Sequence, residues 1–368
     1  MKCCVECFQD RDIIQRIKSL NKKGTCDFCK NSYTNVLDLD NAEDIASDFE
    51  GLLDEFTHDF DGQVLEQKNY KLSTLSDYLK YHTSIFSETM SSNKILRFLQ
   101  HLLPNRIKED PALFSDDIIP TYLLYPEKIQ DEGIFKGKTW NEFKEDIKFN
   151  NRFHSQLVNE QVLIAFFQDC EVPLKNGNED KLFRARISDD GIALKPEELW
   201  AAPRRVATSG RLNASGIGYL YLSYDEDVCL KEIRASVNDV CTVATFQVTT
   251  DDLRVVDLGQ IANISIFTSP VLSRYLMNYD ILQDIDAAMV EFSKKDKSEI
   301  DLVPTEFMSD IIKAQDIDGI MYKSTFDNNF KNVVLFDGSP NNSKILQIES
   351  DIKTYRIKTI HYDKLEMR

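Results

Sequence analysis

The 368-residue chain has no apolar run of the roughly 18 residues that a bilayer-crossing helix needs, and its opening "MKCCVECFQDRD" lacks the apolar core of a signal peptide. No membrane association and a cytoplasmic location are therefore expected. Excess positive charge is missing too. The formal net charge is −17, which repels a phosphate backbone, so direct nucleic-acid binding is not expected. No Walker-type phosphate loop occurs, and "GIG" at 216–218 lacks the third glycine and the following helix start of a dinucleotide fingerprint. Histidine is scarce: there are five, and none precedes His58. What remains is an ordinary globular balance, 42% hydrophobic and 29% charged, in a length that implies two or three domains.

Cysteine is unevenly spread. Five of the eight lie in the first 29 residues, and "CVEC" (Cys4 to Cys7) and "CDFC" (Cys26 to Cys29) form two CxxC pairs 18 residues apart. Each pair can fold into a knuckle whose two sulfurs share one metal ion, and two knuckles complete a tetrahedron. With no histidine nearby, a closed structural zinc site over residues 1–36 is expected, with ligands Cys4, Cys7, Cys26 and Cys29. Cys3 could replace Cys4, although CxxxC makes a poorer knuckle. Redox chemistry and metal-free reduced thiols are the alternatives. Cys170, Cys229 and Cys241 sit in apolar surroundings and read as buried thiols of a reducing compartment.

Residues 37–165 read as a mainly α-helical domain. In "NAEDIASDFEGLLDEF" apolar residues recur at helical spacing behind Asn41 as a cap, and "TLSDYLKYHTSIFS", "NKILRFLQHLL" and "TWNEFKEDIKFNNRFH" read alike. This helical segment resembles the N-terminal regions of the HEPN class. Catalytic members carry Arg and His four to six residues apart; here three residues separate Arg97 from His101, so ribonuclease activity is not expected.

From residue 166 the texture turns β-rich. Strands are predicted at 182–187, 216–223, 240–248, 253–259, 317–324, 331–338 and 354–362, with helices after Ser223, at 270–294 and at 304–315. The order is α+β, without regular βαβ alternation. The helix after Ser223 poses a question. With Ser223 as N-cap and Glu226 completing a capping box, the apolar face is set by Val228, Cys229, Ile233 and Ala235. At about 100° per residue, Glu232 falls within about 40° of Val228, inside that face. A carboxylate so placed is either paired in a structural salt bridge or functional. Around it lie Arg211 and Asn213 of "GRLN", the aromatics Tyr219 and Tyr221, and Arg184 on an earlier strand. Arginines clamp phosphate, an aromatic face stacks on a flat heterocycle, and a carboxylate stabilises a developing cation. The set suits a nucleotide with a cleavable glycosidic bond.

"LFRARI", "GRLNASG", "YLYLSYDEDVCLKEI", "PTEFMSDIIKAQDIDGIMYKS" and "NVVLF" occur in the order and spacing of the RES domain family. The core of the resemblance covers residues 181–340, within a domain expected at 166–368. The double CxxC with its helical segment is similar to the extension found on some RES proteins. Two departures are "GRLNASG", without the family's usual aromatic or prolines, and Glu306 where relatives often have Gln.

The resemblance implies an ADP-ribosyltransferase-like fold and an NAD-degrading enzyme, a phosphorylase or glycohydrolase acting as the toxin of a toxin–antitoxin or defence system. Arg184, Tyr221, Glu232 and Ser324 are the implied catalytic positions, with Arg211, Asn213 and Arg186 at the substrate. NAD is then the substrate, inorganic phosphate a candidate co-substrate, and an antitoxin or regulatory protein the expected partner; a homo-oligomer stays open. Two alternatives remain: ADP-ribosyl transfer to a macromolecule, and a non-catalytic nucleotide-binding recognition protein.

Overall fold

The structure, a computed structural model, describes residues 1–60, 71–175, 181–269, 271–291, 298–327, 329–340 and 345–361. The ends of the helix predicted at 270–294 and Tyr362 of the last predicted strand lie outside them. No described helix is long and apolar enough to cross a membrane. The chain divides into two compact units, each discontinuous in sequence. One comprises Met1–Phe143, Gln156–Val162 and Gln260–Ile285; the other comprises Lys144–Ser155, Leu163–Gly259 and Asp286–Arg368.

The first unit mixes helices with two small antiparallel sheets. Strands β1 (Lys2–Cys4), β2 (Lys23–Gly24) and β3 (Thr34–Asp38) pair in the order β1-β3-β2; β4 (Phe56–Thr57), β5 (Ser73–Thr74) and β6 (Asp117–Pro120) pair as β4-β6-β5. Helices form at Glu43–Leu53, Leu75–Tyr81 and Ser92–Leu102, where helical periodicity predicts them. The expected Asn41 cap does not form. Asn41 ends a 3-10 turn, Leu39–Asn41, and the helix starts behind Ala42 without a side-chain cap. Phe49 is fully buried, with ring centroids 5.4 Å from Phe98 and 5.1 Å from Phe267. Arg97 stacks over Phe28, 5.8 Å from its ring, while His101 bonds back to the Arg97 carbonyl through Nδ1 at 2.9 Å. The pair is thus taken up within the helix and its packing.

The second unit carries a nine-stranded sheet: β7 (Glu171–Pro173), β8 (Leu182–Ile187), β9 (Leu220–Ser223), β10 (Val240–Val248), β11 (Arg254–Asp257), β12 (Gly319–Lys323), β13 (Lys331–Leu335), β14 (Leu346–Ile348) and β15 (Lys353–Arg356). The order is β14-β10-β8-β9-β13-β12-β11-β7, with β15 also on β10; β11 and β12 are parallel and the other pairs antiparallel. The α+β class holds. One face packs Leu182, Leu220, Leu222, Phe246, Val333 and Leu335, with Trp200 edge-on to Phe246 at 5.1 Å.

Several predicted elements shift. The last strand, expected at 354–362, runs Lys353–Arg356, and those expected at 331–338 and 253–259 shorten to Lys331–Leu335 and Arg254–Asp257. The strand expected at 216–223 is short, beginning at Leu220, because the preceding residues form a loop. The helix expected from Pro304 begins at Glu299 instead, capped by Ser298, and contains Pro304.

Gly319 places no side chain against the neighbouring strand. A Cβ there would stand 2.3 Å from the Val334 carbonyl oxygen. Gly319→Ala is expected to destabilise by about 1–3 kcal/mol through overpacking. A lower denaturant midpoint checks this.

Candidate functional site

Strands β8 and β9 share a single register pair, Phe183↔Ser223. Beyond it they part, and a cavity of about 500 Å³ opens, lined by both strands, by Gly210 and Arg211, and by the end of the following helix. Across the sheet, Phe183 pairs with Ser223, Ser223 with Asn332, and Asn332 with Tyr322. Directly paired residues of antiparallel strands share a sheet face. The helix Glu226–Glu232 lies over that face, with Cys229 packed on Ala185 and Val243. Its N-cap is Asp225, whose side chain accepts from the Val228 N–H at 2.8 Å. The expected Ser223 cap is therefore corrected: Ser223 is the last residue of β9 and is buried.

Glu232 ends this helix, half-buried and facing the cavity. Its Oε1 accepts two hydrogen bonds, from Ser324 Oγ at 2.8 Å and from Asn332 Nδ2 at 2.6 Å. Ser324 is fully buried just past β12, and its Oγ accepts from the Phe326 N–H at 3.1 Å. That leaves its single hydroxyl proton for Glu232. Behind the sheet, Lys323 and Lys331 are register partners; Asp286 neutralises the first at 3.1 Å and buried Asp257 pairs with the second. Two like charges side by side would otherwise repel.

Arg184 lines the cavity and donates from Nη1 to the Tyr221 carbonyl at 3.0 Å. Its Nε is buried without a partner, and no ion pair to it forms among the described residues. Burial, with Arg186 alongside, lowers this guanidinium to about 10. A cation so placed favours an anionic ligand. Arg186 also lines the cavity, is exposed, and donates to the Glu198 carbonyl.

The other expected positions divide. Arg211 lines the cavity, but its guanidinium donates to the carbonyls of Met289 and, at 3.2 Å, Glu291, and lies 5.4 Å over the Tyr322 ring. Tyr221 also lines the cavity, while its hydroxyl donates to Asn213 Oδ1 at 2.6 Å and accepts from the Leu212 N–H at 3.2 Å. Asn213 is buried and spends its amide nitrogen on the carbonyls of Thr208, Ala214 and Ile217. It shapes the loop and does not line the cavity. Tyr219 packs on Phe336 instead, at 5.0 Å. Sequence reasoning missed Asn332 and Tyr322. Asn332 opens "NVVLF", and its polar side chain at the start of an apolar strand was the available signal.

In the first unit, Cys4, Cys7, Cys26 and Cys29 bring their sulfurs within 4.8 Å of one another, a group that could hold a metal ion. The Cys4–Cys7, Cys4–Cys29 and Cys7–Cys26 separations are 3.9, 3.3 and 3.6 Å. A tetrahedron with metal–sulfur bonds of about 2.3 Å has edges of about 3.8 Å, so the donor set fits. The second knuckle is formed by N–H groups of Phe28 and Cys29 directed at Cys26 Sγ, at 3.4 and 3.5 Å. Cys3 is buried beside Cys7 and Cys26 but is not one of the four.

Residues 181–357 match the family model of the RES domain, so this part of the chain is a RES domain. Among solved structures, a chain of the M. tuberculosis MbcT-MbcA toxin–antitoxin complex is similar at 16% identity; the alignment covers 53% of this chain and 92% of that one, with a TM-score of 0.31. No curated protein matches the chain.

Tyr221→Phe is expected to cost about 1–3 kcal/mol, because it leaves Asn213 Oδ1 and the Leu212 N–H without their partner. Denaturant unfolding monitored against the parent protein measures it.

Proposed function

We propose that the RES domain cleaves the nicotinamide–ribose bond of NAD. The observation that carries this reading is the pairing, in one cavity, of a doubly hydrogen-bonded carboxylate, Glu232, with a half-buried arginine lacking a carboxylate partner, Arg184. The substrate asks for both. Its pyrophosphate is an anion, and the transition state is a ribose-centred cation. In the reaction the C1′–N bond breaks and its electron pair stays with nicotinamide, which leaves neutral and needs no acid. Glu232 stabilises the cation left on the ribose, an electrostatic role. Arg184, with Arg186 at the rim, holds the pyrophosphate, and the Tyr221 ring packs near the base. Arg211 and Asn213 act by shaping the wall. Water or inorganic phosphate captures C1′ and loses a proton to solvent.

RES domains are associated with NAD-acting toxins. On that footing the chain acts as a toxin in a reducing cytoplasm, held in check by an antitoxin or regulatory protein. The fold of the RES domain is taken as ADP-ribosyltransferase-like. The cysteine cluster, with the helices that follow, forms a zinc-stapled N-terminal extension.

Incubation with NAD should release nicotinamide, and product analysis with and without phosphate identifies the acceptor. Free ADP-ribose marks water, ADP-ribose phosphate marks phosphate, and label on a macromolecule selects transfer. Tight binding without turnover selects the non-catalytic reading. Glu232→Gln, which keeps the shape and removes the charge, is expected to lower kcat by about 100-fold or more. Unchanged turnover in that variant overturns the assigned mechanism.

The zinc proposal has its own measurement. Metal analysis of purified protein should return about one zinc per chain, and Cys26→Ser should lower both the zinc content and the melting temperature. Metal-free, fully folded protein refutes it.

A further inference from the structure

We propose that Asn332 is a positioning residue for Glu232, sharing with Ser324 the task of anchoring Oε1 so that Oε2 is presented to the cavity. The inference rests on the NAD-cleaving reading and extends it to a residue outside the Arg, Glu and Ser of the motif.

Three observations converge. Asn332 Nδ2 lies 2.6 Å from Glu232 Oε1, the shorter of the two bonds to that oxygen. Asn332 is 3% exposed and is fixed on both sides by strand pairing, to Tyr322 of β12 and Ser223 of β9. The amide has one sensible orientation, since a carboxylate oxygen requires the NH₂ group and repels the carbonyl. Both donors converge on Oε1, and among the described residues no protein hydrogen bond to Oε2 occurs. One oxygen is thereby anchored and the other left for substrate.

The consequence is geometric. The Phe326 N–H occupies the acceptor side of the Ser324 hydroxyl, which turns its proton to Oε1. Asn332 Nδ2 is a donor only and holds the same oxygen from a second strand. Two donors from separate strand ends fix the rotation of the carboxylate, so its other oxygen has one direction.

Two near-isosteric variants test the assignment. Asn332→Leu removes the donor, and Asn332→Asp replaces it with an acceptor that can carry charge. The readout is kcat and KM for nicotinamide release from NAD, with melting temperatures and the fraction of NAD-binding chains recorded for each protein. In Asn332→Leu kcat per NAD-binding chain should fall about tenfold with KM changed less than about twofold, because the interaction acts on the transition state. The loss should be larger in Asn332→Asp, which sets an acceptor against the carboxylate, and that variant carries the test alone if the leucine protein does not fold. A general loss of fold would lower the melting temperature and the fraction of chains that bind NAD without lowering kcat per binding chain. A parent-level kcat in a folded variant overturns the role of Asn332 while leaving the NAD reading intact. A parent protein that releases no nicotinamide overturns both.

Discussion

The parting of β8 from β9 after one paired residue is the constraint on which the site depends. A continuous ladder there would close the sheet and leave no cavity. Instead, Arg184 reaches across the gap to the Tyr221 carbonyl, supplying a partner to a backbone group that strand pairing would otherwise have satisfied. The separation thus places a guanidinium in the sheet itself. It also makes room for the loop at 210–213, which Tyr221 and Asn213 lock with hydrogen bonds at 2.6 Å and 3.2 Å.

Polar chemistry on the other wall is organised by strand register. Asn332 lies in a row with Phe183, Ser223 and Tyr322, and Ser324 stands just beyond β12. A helix ending at Glu232 over that row can meet both donors at once. The carboxylate is half-buried, and two donors on one oxygen offset part of the solvation it loses. On the opposite face the paired Lys323 and Lys331 are each neutralised by an aspartate, so the strand ends bearing Ser324 and Asn332 are held from behind.

The first unit rests on different physics. Phe8, Phe28, Phe49, Phe86 and Phe98 form a linked aromatic cluster, with centroid separations from 5.4 to 6.1 Å. Phe8 and Phe28 come from the segments that bear the cysteines, so the thiol cluster and the aromatic core order the same stretch of chain. Neither depends on the long-range strand pairing that builds the cavity.

Local pattern determined the elements whose signal is local. The apolar runs at 182–187 and 240–248 are strands with those bounds, and the CxxC spacing brings four sulfurs together. Helical periodicity placed Glu232 inside an apolar face, and the order of short motifs pointed to a RES domain. Tertiary structure decided what each polar side chain does, because hydrogen-bond partners come from residues far apart in sequence. Asn213 and Arg211 are spent on carbonyls of the loop and of a helix end, which spacing within "GRLN" cannot reveal. Asn332 stands 100 residues from the carboxylate it holds. Ser223 had the residue type of a helix cap, yet β9 pairing claimed it and left the cap to Asp225. Residue type and period set which groups needed partners; strand register decided which partners they found.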